Sequence, residues 1–184
     1  MRISAIEFDD AAFKACALAT GFENTEDVVK LVCRNKGIRS TKGLEYFTGL
    51  KLLDVTRNQL EQLDVSNNLL LEELFAGNNE LQSLDVSKNT KLTHLEVFIN
   101  ELTEIDVREN TQLAEIYANK NELSTIDLSN NAELTDVRLS GNDIEQVDFG
   151  DNDKLEKVFL DKNPISDEMI SMLKNKLQNV EFKI

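Results

Sequence analysis

Residues 92–102 read LTHLEVFINEL. Leu92, Leu95, Val97, Asn100 and Leu102 have counterparts at the same offsets in LKLLDVTRNQL (50–60), LEELFAGNNEL (71–81), LAEIYANKNEL (113–123), LTDVRLSGNDI (134–144) and LEKVFLDKNPI (155–165). Each copy begins 21 residues after the one before it. VVKLVCRNKGI (28–38) is a degenerate first copy, 22 residues upstream. A shorter echo fills the gaps: EQLDVSNN (61–68), QSLDVSKN (82–89), TEIDVREN (103–110), STIDLSNN (124–131) and EQVDFGDN (145–152). A fixed period of this length is the mark of a chain wound into stacked coils.

Apolar residues alternate with polar ones at the centre of each long copy, which predicts a short strand with one buried face. Stacking then places Leu53, Leu74, Leu95, Ile116, Val137 and Val158 in one core column, and Val55, Ala76, Val97, Ala118, Leu139 and Leu160 in the next. One coil cannot bury these residues alone; its neighbours must do it. Parallel strands lie ~4.8 Å apart, so about seven coils make a rod about 30 Å long. Two Asn columns mark the bends: Asn58, Asn79, Asn100, Asn121, Asn142 and Asn163, and Asn68, Asn89, Asn110, Asn131 and Asn152. Buried Asn side chains there are expected to satisfy backbone groups that leave the strand ladder.

The 184 residues carry 20 Lys and Arg against 34 Asp and Glu, a formal net charge of −14. Such a surface repels phosphate backbones and anionic lipid, which argues against nucleic acid as a partner. No apolar run is long enough to span a bilayer, so no membrane insertion is expected. MRISAIEFDDAAF at the start lacks the basic-then-apolar form of a signal peptide. Residues 9–20 predict a helix beginning near Asp9 and Asp10, with Phe13, Cys16 and Ala17 on one face. At the other end Pro164 closes the last copy, Ser166 is placed to cap a helix, and Met169, Ile170, Leu173 and Leu177 form its apolar stripe. NVEFKI then predicts a short extended piece.

The LxxLxVxxNxL copies resemble the leucine-rich repeat, and the 21-residue period with its LDVxxN echo is similar to the bacterial class called IRREKO. FDDAAFKACALATGF, VVKLVCRNKGI and GLEYFTGL together resemble the internalin-like N-terminal cap of bacterial surface and exported proteins. The resemblance implies one α/β solenoid domain over residues 1–184. Its parts are a helical N-terminal cap (1–27), repeats (28–165) and a helical C-terminal cap (166–184). It also implies protein recognition, without catalytic residues to carry over. Taken alone, Cys33 fills a core column otherwise held by Val, Ala and Leu, the place of a buried thiol. The resembled caps often carry a Cys pair, which implies a Cys16–Cys33 disulfide in an oxidising compartment instead. Both readings stay open at this point.

His94 is the only histidine, no glycine-rich phosphate loop is present, and no Cys/His spacing suits a metal. No enzyme, cofactor or metal site is therefore expected. The column Asp64, Asp85, Asp106, Asp127 and Asp148 admits a cation ladder or local hydrogen bonding. The second is favoured, because the family consensus carries Asp there and a straight column does not converge on an ion. The outward positions of the long copies are nearly neutral, with seven Lys or Arg and six Asp or Glu. Four of the five aromatic residues between 50 and 165 (Phe75, Phe98, Tyr117 and Phe159) fall there. Contiguous apolar surface marks interaction sites, and aromatic and Arg side chains are frequent anchors. Phe75, His94, Glu96, Phe98, Ile99, Tyr117, Arg138 and Phe159 are thus the expected partner-binding residues of a monomeric, non-catalytic protein-recognition module. The alternatives are an acidic antagonist of a basic protein such as a toxin, and a purely structural surface module. The expected location is extracytoplasmic where a leader has been removed, and cytoplasmic otherwise.

Overall fold

The computed structural model describes residues 1–184. The central strands of the long copies are β1 (Lys30–Val32), β2 (Leu52–Asp54), β3 (Glu73–Phe75), β4 (His94–Glu96) and β5 (Glu115–Tyr117), followed by β7 (Asp136–Arg138) and β9 (Lys157–Phe159). They pair in parallel, coil against coil, and β10 (Glu181–Lys183) closes the row as an eighth strand. In the echo segments only β6 (Thr125–Asp127) and β8 (Gln146–Asp148) are regular, and they pair with each other.

The register is the one the repeat dictates. Leu53 lies beside Leu74, Leu74 beside Leu95, Leu95 beside Ile116, and Ile116 beside Val137. Every residue of both core columns is fully buried. The first-copy offset of 22 is kept, with Leu31 beside Leu53. Strand residues are few because each coil must bend at once, yet the ladder runs beyond them. Ala76 N donates to Glu96 O and Val97 N to Tyr117 O, both at 2.8 Å.

The Asn columns hold the bends as expected, but in two ways. Asn121 Nδ2 donates to Val97 O and Ala118 O, and its Oδ1 accepts from Leu102 N. Asn79, Asn100 and Asn142 repeat that pattern. Asn110 Nδ2 likewise donates to Val86 O and Asn89 O. The Oδ1 atoms of Asn68, Asn89, Asn110, Asn131 and Asn152, however, are buried with no protein donor.

Both ends are covered. Helix α1 (Ala11–Leu18) starts at Asp10, whose carboxylate accepts from Ala12 N and Phe13 N, and it buries Phe13 and Ala17. Cys16 and Cys33 are joined as a disulfide with their Cα atoms 5.7 Å apart, tying α1 to the first coil. Closing a loop of this size contributes about 3 kcal/mol. Helix α2 (Asp167–Lys176) is capped by Ser166 and buries Leu173, with Leu177 just beyond its end also buried. Met169 and Ile170 pack partly against the same core.

Candidate recognition surface

The outward face of the strands is more tightly built than the pattern implies. Three positions expected to face solvent, Asp54, Thr56 and Asp136, are buried. Arginine clamps cover the two aspartates. Arg34 places Nε and Nη2 at 3.0 and 2.6 Å from Asp54 Oδ2, and Asp54 Oδ1 accepts from Thr56 N. Arg138 grips Asp136 with two hydrogen bonds of 3.0 and 2.9 Å.

The aromatic side chains do not form a bare apolar patch. They stack through polar ones across five coils. The His94 ring lies 5.0 Å from Phe75 and 5.3 Å from Tyr117, measured between centroids. The Arg138 guanidinium sits 4.2 Å above the Tyr117 ring and 5.7 Å from Phe159. Strand register pairs Phe75 with Glu96 and Glu96 with Tyr117, so His94 reaches across from the adjacent column. Its Nε2 is 3.1 Å from Glu96 Oε1 and its Nδ1 3.7 Å from Glu115 Oε2. Tyr117 OH donates to Glu115 Oε2 at 2.6 Å and lies 3.3 Å from Asp136 Oδ2.

These contacts set the protonation of the stack. Burial works against the charged form of His94, but the Glu96 hydrogen bond and the charges of Glu115, Glu96 and Glu73 outweigh it and raise its pKa. Burial, the bond to Glu115 and the charge of Asp136 push the Tyr117 hydroxyl well above its ordinary range. His94 is therefore a spacer between two rings; its nitrogens face Glu96 and Glu115, and these carboxylates favour its protonated form.

Phe98 and Ile99 stand apart from that stack. Gly77, one coil earlier, gives Phe98 its seat: a Cβ on Gly77 would lie 2.6 Å from the Phe98 ring. Phe98 is thus half-buried. Ile99 does the opposite. It occupies the position at which each coil turns out of its strand with positive φ: Asn35, Arg57, Asn78, Ile99, Lys120 and Lys162, with Gly141 in the sixth coil. Asn and Gly suit this left-handed backbone; a β-branched residue is its poorest occupant. Ile99 has φ 54° and remains 39% exposed. The cost is about 1–2 kcal/mol, and solvent exposure of the side chain returns nothing. Between residues 50 and 165 the large exposed apolar side chains are Leu69, Leu70 and Ile99, and only Ile99 is on the strand face.

The opposite side of the coils differs. Asp64, Asp85, Asp106, Asp127 and Asp148 each accept from the backbone N–H two residues on, at 2.8 to 3.0 Å. The Asp column is thus a set of local turns, the favoured of its two readings. Side-chain and backbone hydrogen bonds to Ser66, Ser87 and Ser129 lower the pKa values of Asp64, Asp85 and Asp127. Arg108 takes Asp106 down to about 2.

This geometry decides the architecture. The fold is a leucine-rich-repeat solenoid. No protein-family profile matches the chain, and no curated protein sequence does either. Solved structures of the solenoid do. The functional domain of InlJ from Listeria monocytogenes, described by its cysteine ladder, is 29% identical, with a TM-score of 0.77 over 95% of this chain and 45% of that one. The Listeria monocytogenes internalin InlF is 22% identical, with a TM-score of 0.87 over 99% of this chain and 57% of that one. Internalin C2 from the same organism is 24% identical, with a TM-score of 0.67 over 100% of this chain and 95% of that one. The chain spans about half the length of the first two structures. In contrast to a cysteine ladder, it has two cysteines in all. No helix is long and apolar enough to cross a membrane.

The sequence places Arg57, Lys120 and Arg138 as a polar rim of this face, but not the arrangement that two of them enter. Lys120, Lys162 and Lys183 meet Arg138 in a shallow cup beside Gly141. Its trace in the sequence is Lys at two turn positions where the other coils carry Asn, Gly, Arg or Ile.

Proposed function

We propose that this chain is a monomeric, non-catalytic protein-recognition module of bacterial internalin-like type. Its partner docks on the strand face over Phe75, His94, Glu96, Phe98, Ile99, Tyr117, Arg138 and Phe159. One observation carries the reading: the exposed, β-branched Ile99 is held in a left-handed backbone that Asn or Gly would occupy without strain. A position that lowers stability and buries little is retained for what it contacts outside the fold. The stacked rings and Arg138 on the same face supply the rigid aromatic and cationic anchors frequent in protein interfaces. Residues 1–184 act as one unit, with 1–27 and 166–184 as its caps. A Cys16–Cys33 disulfide fits an oxidising, extracytoplasmic setting.

The test is affinity capture of a partner on the immobilised protein, followed by calorimetry with the purified pair. The triple substitution Phe75→Ser, Phe98→Ser and Ile99→Ser abolishes binding while far-UV circular dichroism stays native. Binding that survives the triple substitution contradicts the assignment. Affinity that instead falls steeply with salt and depends on the Asp-bearing side supports the acidic-antagonist reading.

A further inference from the structure

The turn ridge changes character along its length. Ile99 is the one exposed aliphatic residue on it, and Lys120, Gly141 and Lys162 follow it in the next three coils. Around Gly141 a cup of about 300 Å³ is lined by Lys120, Arg138, Lys162 and Lys183, with Asp161 as its one carboxylate. Asp161 is already engaged, accepting from Ser140 Oγ at 2.6 Å and pairing with Lys183 Nζ at 3.3 Å. Arg138 is engaged by Asp136. Lys120 and Lys162 have no acidic partner, although the chain as a whole carries a charge of −14. Two exposed, unpaired ammonium groups on either side of a glycine turn, in a protein with so many carboxylates, form a local reversal of sign.

Resting on the proposed reading of the strand face, we infer that the partner presents a segment in polyproline-II form with an apolar side chain and an Asp or Glu three positions apart. The apolar side chain sits on Ile99 and the carboxylate enters the cup between Lys120 and Lys162. The spacing follows from the coils. Ile99 and Gly141 are two coils apart, ~10 Å at ~4.8 Å per coil, and a polyproline-II chain, with three residues per turn and a rise of about 3.1 Å each, sets side chains three positions apart on one face at about that distance. Both elements are needed. Beyond a Debye length of about 8 Å the acidic bulk of the solenoid is screened, so an acid is attracted only where the two lysines reach it. The apolar contact at Ile99 adds the desolvated area that a solvent-facing ion pair lacks.

The experiment is selection of a random dodecapeptide phage library on the full chain, then calorimetry with the synthetic peptide of the strongest binder. Enriched peptides are expected to carry an apolar and an acidic residue three apart, in either chain direction. Ile99→Asn weakens that peptide at least about tenfold, and so does the double substitution Lys120→Glu with Lys162→Glu. Replacing the peptide's acidic residue with Ala has the same effect. Ile99→Asn also raises the melting temperature by about 2–4 °C, because Asn fits the left-handed turn, so lost binding is not lost folding. Peptides that bind Phe75→Ser with Tyr117→Ser poorly but are indifferent to the lysines overturn this inference and leave the recognition face standing. Peptides indifferent to all of these substitutions overturn both. A library that yields no binder overturns the inference.

Discussion

The two sides of each coil share one period and differ in how they are finished. On the strand side, eight strands join into an unbroken parallel row, and its side chains interlock through His94, Tyr117 and Arg138. On the echo side only β6 and β8 pair, and each turn is fixed locally by an Asp that accepts from the backbone two residues later. Local turns leave each coil's outward side chains independent of the next. A ladder couples them. The coupled side is where a rigid surface can be presented, and it is also where the backbone keeps a strained Ile99. Regular repetition therefore supplies the frame, and departures from it are concentrated on one side.

The Asn columns offer the sharpest way to break this contrast. Asn121→Ala leaves Leu102 N–H without an acceptor, while Val97 O and Ala118 O keep Asn100 and Asn142 as donors. Asn110→Ala orphans nothing, because Val86 O and Asn89 O still accept from Asn89 N and Leu92 N. A buried donor without a partner costs more than a weakened acceptor. Urea unfolding should give a loss of about 3 kcal/mol for Asn121→Ala and about 1–2 kcal/mol for Asn110→Ala. Equal losses would mean that the two columns do the same work.

Glycine substitutions come next in size. A Cβ on Gly150, at φ 49°, would meet the Ser129 backbone oxygen at 2.7 Å, so Gly150→Ala must move main chain and costs about 2 kcal/mol. The atoms nearest a Cβ on Gly77 all belong to the Phe98 ring, a side chain that can swing outward. Gly77→Ala therefore costs about 1 kcal/mol or less, while it raises the exposure of Phe98, seen as a changed ring environment in the proton NMR spectrum.

The smallest effects are titrations of opposite sign. His94 has a raised folded pKa, so its contribution is fully present below its unfolded value near 6.5 and is lost as pH rises through the folded value. Asp106 has a folded pKa lowered to about 2, so its contribution is present above its unfolded value near 4 and is lost as pH falls through the folded one. Melting curves should show that His94→Gln removes a stability loss that sets in as pH rises above about 6.5, and that Asp106→Asn flattens the acid limb between about pH 4 and 2. An imidazole NMR titration that gives His94 a pKa at or below 6.5 would contradict the first.

Much of the frame was legible in advance, for a physical reason. Core columns, both Asn columns, the Ser166 cap and the final extended piece depend on which residue types recur at which offset, and recurrence is visible in a string. The details of the strand face depend on rotamers and on φ. Asn35, Asn78 and Gly141 already hinted that their column is left-handed, but Arg57, Lys120 and Lys162 obscured it, so the strain at Ile99 was not read. Strand register puts His94 one column away from the rings it separates. The burial of Asp54 and Asp136 needs Arg34 and Arg138 to fold over them, which no periodicity encodes. The basic cup draws on three coils and the terminal strand, so its members are scattered from Lys120 to Lys183.

The central claim is that recognition happens on the strand side. Hydrogen–deuterium exchange of the protein with and without its captured partner tests it most directly. The account predicts slowed exchange in residues 73–78, 94–99 and 115–120, with residues 61–68, 82–89 and 103–110 unchanged. Protection confined to the Asp-bearing segments would contradict it.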